Sequence, residues 1–166
     1  AQIVTYPDNR EIAYCFGGEN GLYIVDVSNK NNMVQLSRTR YSNLVYCHQG
    51  WASEDLNYLY VDDELDEYYG LEPTTRTIVF DISDLNNPVL VNDFTSGLPS
   101  TDHNLYVKGN LIFESNYTSG VRVFDATDPV NPVEIAWFDS YPENNYTGFE
   151  GAWSVYPYFP SGTLIL

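Results

Sequence analysis

Two histidines and a run of acidic residues are the side chains of this sequence that are best suited to binding a metal ion. His48 and His103 are the only histidines, and the run from Asp62 to Glu67 contains five carboxylates in six residues. Two imidazoles with a carboxylate suit zinc or another transition metal, whereas an oxygen-rich acidic loop suits calcium. The residues that we predict as candidate ligands of a divalent cation are His48, His103, Glu150, Asp63, Glu64, Asp66, Glu67 and Asp102.

The same residues also have a structural interpretation. A histidine at the start of a strand can bond to neighbouring backbone or to a turn aspartate, which would make Asp102 and His103 an architectural pair. A run of charges is by default a solvated loop. The sequence leaves both interpretations open.

The charge balance excludes some classes of binding partner and favours others. The chain of 166 residues has 23 acidic and 7 basic side chains and a formal net charge of −16. Because such a surface repels phosphates and anionic headgroups, nucleic acid is excluded as a partner, and cations are favoured. No stretch approaches the roughly 20 apolar residues of a membrane helix, so we expect no membrane span in this segment.

The elements that must position these residues are β-strands. Aromatic residues make up 16% of the chain, and aromatic and β-branched side chains favour pleated sheets. Alternating apolar runs end in Asp26, Asp81 and Asp125, and an asparagine follows six residues after each of them. These aspartates are 55 and 44 residues apart, within the range of β-propeller blade periods. Each aspartate can bond the backbone amides of the turn that follows it.

This repeat predicts an all-β fold of four-stranded antiparallel units, the blades of a β-propeller, in one domain over residues 1–166. Blade 1 spans about 1–40, blade 2 about 45–95 and blade 3 about 102–139, with a partial blade 4 over about 150–166. The first unit lacks a clear innermost strand, so we expect two full and two partial blades. Stacked units bury their faces only against neighbours. We therefore expect a longer polypeptide, whose remaining blades, or other copies of the chain, cover the open ends.

Several segments resemble a known family. The segments Gly21-LYIVDVS and Gly120-VRVFDAT are similar to the repeat of the LVIVD-repeat proteins, also called the choice-of-anchor B family. More specific similarities, in the family's order, are Leu36-SRT, His48-QGW, Asp63-ELDE, Thr75-RTIVFDISDLNNP, Asp102-HNLYVKGN and Gly151-AWSVYPYFPSGT. The resemblance implies a secreted or surface-displayed β-propeller whose longer members carry varied C-terminal anchors. It implies no established reaction.

The propeller scheme gathers the candidate ligands at one face of the fold. His48, His103 and Glu150 begin three successive innermost strands if the aromatic residues that follow them are equivalent, namely Trp51, Tyr106 and Trp153. The acidic run lies in a loop between second and third strands, and such loops open onto the same face. We therefore predict a cation site near the central opening.

Cysteines and glycosylation sequons add weaker indications. Cys15 and Cys47 are either two free thiols or a single disulfide bridge, and the sequence does not decide between them. Asn116 and Asn145 each begin an Asn-Tyr-Thr sequon, which predicts glycosylation if the protein is secreted from a eukaryotic cell.

Two functions from different classes fit this sequence. The first is a non-catalytic extracellular module that presents a propeller face to ions, glycans or surface proteins and assembles into a larger surface structure. The alternative is a metal-dependent hydrolase in which a cation at the propeller mouth activates water. No motif for nucleophilic catalysis is present, so we assign no catalytic residue.

Overall fold

The computed structural model describes residues 1–166 and folds them into three antiparallel four-stranded sheets. The first sheet contains β1 (Gln2–Thr5), β2 (Glu11–Phe16), β3 (Leu22–Asp26) and β4 (Val34–Thr39). The second contains β5 (Cys47–Ala52), β6 (Tyr58–Asp63), β7 (Thr77–Asp81) and β8 (Val89–Phe94), and the third contains β9 (Asn104–Lys108), β10 (Leu111–Ser115), β11 (Val121–Asp125) and β12 (Val133–Phe138). Within each sheet the strands are ordered as in the chain, which is the arrangement of a propeller blade.

The aspartate that ends each third strand closes the turn that follows it, as predicted. Asp26, Asp81 and Asp125 each accept a hydrogen bond from the backbone amide two residues later, at 2.9, 2.9 and 2.8 Å. Each local bond replaces water at an amide that the sheet leaves unpaired, so the repeated sequence produces the same turn three times.

The middle blade is buried on both faces. Leu59, Val61 and Phe80 belong to a core cluster shared with the first blade, whereas Tyr60 and Val79 belong to a cluster shared with the third. Successive side chains of a strand point to opposite faces, so β6 and β7 supply both cores at once. Their nearly continuous burial follows from this position between two neighbours.

Glutamine side chains connect the innermost strands of neighbouring blades. Gln2 accepts a hydrogen bond from the backbone amide of Ala52 at 2.8 Å. Gln49 accepts one from the amide of Leu105 and donates one to the Leu105 carbonyl, both at 2.8 Å. These bonds fix β1 against β5 and β5 against β9, and they bring the starts of β5 and β9 together.

The predicted number of complete blades was wrong. Three blades are complete rather than two, because Gln2–Thr5 forms the innermost strand of the first. Only four residues long, it carries too short an alternation to be recognised in the sequence. The residues predicted as a partial fourth blade, about 150–166, form only isolated bridges, Tyr117–Ala152 and Tyr156–Ile165. The structure contains no helix that could span a membrane.

We predict that Gly120→Ala destabilises the protein more than Gly109→Ala does. Both glycines have positive φ, 78° and 60°, but a Cβ at Gly120 would lie 2.2 Å from the Phe138 carbonyl oxygen, whereas nothing lies within 4 Å at Gly109. Backbone strain alone costs about 1–2 kcal/mol, and the clash should add roughly 1–3 kcal/mol. Urea unfolding of the two variants measures the difference. Equal losses of stability would show that β11 and β12 separate easily where Gly120 meets Phe138.

Candidate cation-binding site

Asp63 positions the acidic loop that follows β6. One carboxylate oxygen accepts hydrogen bonds from the Tyr41 hydroxyl and the Val45 amide, both at 2.9 Å, and the other accepts from the Tyr46 amide at 2.6 Å. Both oxygens therefore have donors within the protein. Asp63 was predicted as a ligand, and the structure gives it the role of anchoring the loop to the segment before β5.

Three carboxyl groups meet behind this loop and form the buried carboxylate cluster, which consists of Asp66, Glu67 and Asp102. Their ligating oxygens lie within 4.8 Å of one another, and the residues are 0%, 4% and 0% exposed. Asp102 accepts a hydrogen bond from the Arg76 amide at 3.0 Å. The other five carboxylate oxygens of the cluster are buried without a hydrogen-bond partner.

Two further carboxyl groups lie next to the cluster. The Thr77 hydroxyl lies between Asp62 and Glu114, at 3.1 and 2.7 Å from their nearest oxygens. Asp62 and Glu114 are 0% and 1% exposed, and one oxygen of Asp62 has no partner. The interior of the molecule thus holds five acidic side chains close together, where unpaired charge is costly.

Burial and mutual repulsion raise the pKa values of these acids. Burial, followed by repulsion from Asp66, raises the pKa of Glu67 to about 10. Burial is also the main cause that raises the pKa values of Asp66 and Glu114 to about 7. The pKa of Asp102 rises well above its usual value through burial and the neighbouring Glu67. At neutral pH the cluster must therefore hold protons or a cation.

The one basic side chain in contact with the cluster does not neutralise it. Arg76 is 6% exposed, and its guanidinium lies 3.7 Å from Asp66, 3.2 Å from Glu72 and 3.1 Å from Asp93. This single positive charge is shared among three carboxylates. Glu67 and Asp102 are not among them and have no ion-pair partner. The remaining negative charge has the sign that a divalent cation requires.

The two histidines form a second group, the imidazole pair, consisting of His48 and His103. The His103 Nδ1 atom lies 2.5 Å from the Trp153 carbonyl oxygen, so it carries a proton and donates. His103 Nε2 is then an acceptor, and His48 Nε2 donates to it across 3.0 Å. Burial lowers both histidine pKa values, which keeps the rings neutral.

Glu64 approaches both members of the imidazole pair. Its two oxygens lie 3.5 Å from His48 Nδ1 and 3.5 Å from His103 Nε2. The Tyr117 hydroxyl donates to Glu64 at 2.7 Å and so fixes the carboxylate. These three side chains could hold a metal ion, since their ligating atoms lie within 4.8 Å of one another.

Glu150 was wrongly placed beside the histidines. The bridges Gly18–Cys47 and Tyr117–Ala152 are equivalent in the first and third blades, so Trp153 rather than Glu150 corresponds to His48. The Trp153 ring is nearly parallel to that of His103, with centroids 5.8 Å apart. Glu150 is exposed and belongs to neither group of candidate ligands. The error arose from aligning Trp51 with Trp153 across an insertion.

The structure decides between the two alternatives for the cysteines and corrects the prediction for one sequon. Cys15 and Cys47 are free thiols, with Cys47 packed in the first core cluster, so there is no bridge between them. Asn116 is fully buried and donates to Glu114 at 3.0 Å, which leaves its amide nitrogen inaccessible for glycosylation in the folded chain. Asn145 lies in a partly exposed loop, and its glycosylation stays a prediction.

Sequence reasoning missed Glu114 and Tyr117. Glu114 lies in β10 between the apolar residue Phe113 and the polar residue Ser115, and it is 1% exposed. The available signal was a charged residue within a predicted strand, which indicates a buried charge. Tyr117 gave no signal, because its contact with Glu64 joins residues of different blades.

Comparison with known proteins identifies one repeat within the chain. The LVIVD repeat family matches residues 13–39, which run from β2 to the end of β4. The chain contains an LVIVD repeat. In the structure this LVIVD segment is three antiparallel strands of one blade, and its sequence pattern recurs in β7 and β11. No curated protein sequence matches the chain.

A solved structure confirms the propeller architecture of the chain. The periplasmic gluconolactonase PpgL of Pseudomonas aeruginosa superimposes with a TM-score of 0.65 at 15% sequence identity. The alignment covers 96% of this chain and 47% of PpgL, so the chain spans about half the length of that protein. At this identity the similarity establishes the fold alone.

We predict that the metal-free protein loses stability as the pH rises from 7 to 8.5. Buried carboxyls with pKa values of about 7 and about 10 keep protons that the unfolded chain has already released. The unfolded state therefore binds fewer protons, and each carboxyl that stays protonated lowers the free energy of unfolding by about 1.4 kcal/mol per pH unit. Urea unfolding in the presence of a chelator measures this slope. A stability that is flat or rises over this range would contradict buried, raised pKa values.

Proposed function

We propose that this chain is a non-catalytic β-propeller module that works outside the cytoplasm and binds a divalent cation in the buried carboxylate cluster. The observation that carries the proposal is the set of five carboxylate oxygens of Asp66, Glu67 and Asp102 that are buried without a hydrogen-bond partner. Buried polar atoms are almost always satisfied. Oxygens of this kind are the ligands of a hard cation.

Calcium fits this cluster better than magnesium or zinc. Calcium takes about six to eight oxygen ligands at about 2.3–2.6 Å in a flexible geometry. Magnesium keeps several waters and demands near-octahedral ligands, whereas the residues of the cluster are at most 4% exposed. Zinc prefers nitrogen or sulfur ligands, which the cluster lacks.

A cation in the cluster would join two parts of the fold. Asp66 and Glu67 lie in the loop after β6, and Asp102 lies just before β9, so one ion would link the second blade to the third. It would also replace the protons that the buried acids otherwise hold. Binding to the folded state alone stabilises that state in proportion to the logarithm of the ion concentration.

A location outside the cytoplasm is supported by chemistry and by the structural relative. The net charge of −16 suits surroundings rich in cations, and the structural relative PpgL is a periplasmic protein. The partners that we propose are further blades or copies of the chain, with glycans and surface proteins as ligands of the exposed face. Trp137 and Phe138 of β12, 63% and 66% exposed, are apolar surface that such a blade or copy would cover.

We predict that Glu67→Gln abolishes stabilisation by calcium and raises the melting temperature of the metal-free protein. The amide preserves the shape of the side chain but removes a buried ionisable group, so the apo protein gains stability while the ion loses a ligand. Differential scanning calorimetry with chelator and with millimolar calcium measures both effects.

The matched control for this experiment is Glu143→Gln. It removes the same formal charge from an exposed loop, and it should leave the calcium-dependent shift unchanged. A calcium shift that persists in Glu67→Gln, or a parent protein that binds no calcium by metal analysis, would refute the proposal.

A metal-dependent hydrolase is the second candidate function. It is favoured by the accessibility of the imidazole pair, where the His48 and Glu64 side chains are 28% and 14% exposed. PpgL is named a gluconolactonase, so a lactone is the first substrate to test. We expect no hydrolysis above the buffer rate. Turnover that is lost with chelator and in His48→Gln would instead establish the hydrolase.

A further inference from the structure

We infer that His48, His103 and Glu64 form a second metal site, which takes a first-row transition metal ion of the zinc class. The site is separate from the buried carboxylate cluster and differs from it in donor chemistry. Imidazole nitrogens suit zinc, cobalt, nickel and copper, whereas calcium and magnesium select oxygen. The inference goes beyond the calcium proposal and does not depend on it.

The separations between the donor atoms fit a small ion. His48 Nε2 and His103 Nε2 are 3.0 Å apart, and a Glu64 oxygen lies 3.5 Å from His103 Nε2. A tetrahedral ion with bonds of about 2.0–2.1 Å places its ligands about 3.3 Å from each other. An ion between these three atoms therefore needs only small side-chain rotations.

Neighbouring groups already orient two of the ligands. His103 Nδ1 donates to the Trp153 carbonyl at 2.5 Å, which turns the Nε2 lone pair of this ring towards His48. The Tyr117 hydroxyl donates to Glu64 at 2.7 Å and holds its carboxylate beside the rings. A histidine that ligates a metal typically donates the N–H of its other ring nitrogen to a carbonyl or carboxylate oxygen in this way.

Binding of the metal requires a change of tautomer at His48 alone. In the metal-free protein His48 Nε2 carries the proton that is donated to His103. When the metal takes this nitrogen, the proton moves through solvent to His48 Nδ1, which faces a Glu64 oxygen at 3.5 Å. The ring remains neutral, no net proton is lost, and Glu64 contacts one histidine through each of its oxygens.

The site differs from the buried carboxylate cluster in its access to solvent. The side chains of His48 and Glu64 are partly exposed, whereas His103 is 3% exposed. Three protein ligands with one side open leave a fourth position for water, which is the arrangement of a zinc site that exchanges ligands. The competing interpretation is a histidine pair that is only hydrogen-bonded and takes no metal.

Cobalt binding to the metal-free full chain tests the site. We expect one cobalt ion per chain, with visible absorption typical of tetrahedral coordination, and displacement by one equivalent of zinc. Zinc should shift the histidine ring signals in the NMR spectrum, and calcium should not. Absence of cobalt absorption and of zinc-dependent ring shifts would leave the histidine pair structural and would overturn the inference.

Variants separate this site from the carboxylate cluster. His48→Gln and His103→Gln should each weaken zinc binding at least about tenfold, and Tyr117→Phe should weaken it about 10–100-fold by releasing Glu64. Tyr6→Phe is the matched control, because its hydroxyl bonds only to Tyr14, in the first blade. Glu67→Gln should lose calcium but keep zinc. Zinc binding that survives the double histidine substitution would overturn the assignment.

Discussion

Buried negative charge is the constraint on which the centre of this protein depends. The blades pack so closely that the loop after β6 and the segment before β9 exclude water from Asp66, Glu67 and Asp102. Without water, a carboxylate has to find a donor, a proton or a cation, because an isolated charge in a protein interior costs several kcal/mol. The buried carboxylate of Asp63 finds its donors in the backbone amides of Val45 and Tyr46. The carboxylate oxygens that remain without a partner are concentrated between the second and third blades.

The blade pattern was predictable because it is local. The aspartate at the end of each third strand accepts a hydrogen bond from an amide two residues away. The turn therefore depends only on residues that are close together in the sequence. The four-residue strand β1 was not predictable, since its pairing depends on β2 and on the Gln2 contact with the second blade. Contacts between blades leave no periodic trace in the sequence.

The candidate sites show the same division between local and distant information. The acidic run and the neighbouring residues Asp102 and His103 could be singled out from the sequence because each set is contiguous in the chain, and the structure places them in the two candidate groups. Glu150 was misplaced by an insertion that shifts the repeat, and Glu114 was missed since one charged residue within an apolar strand carries little weight. The meeting of His48 with His103 was inferred from equivalent blade positions, and their Nε2 atoms lie 3.0 Å apart.

The glutamine bridges have a consequence for how such a protein can evolve. Gln2 and Gln49 connect innermost strands through side chains, and no backbone ladder runs from one sheet into the next. Each blade pairs its strands internally, and the backbone hydrogen bonds between successive blades are those of the Gly18–Cys47 bridge. Duplication or deletion of a blade-length stretch of the gene preserves every strand register. Such a change alters the number of blades in the chain.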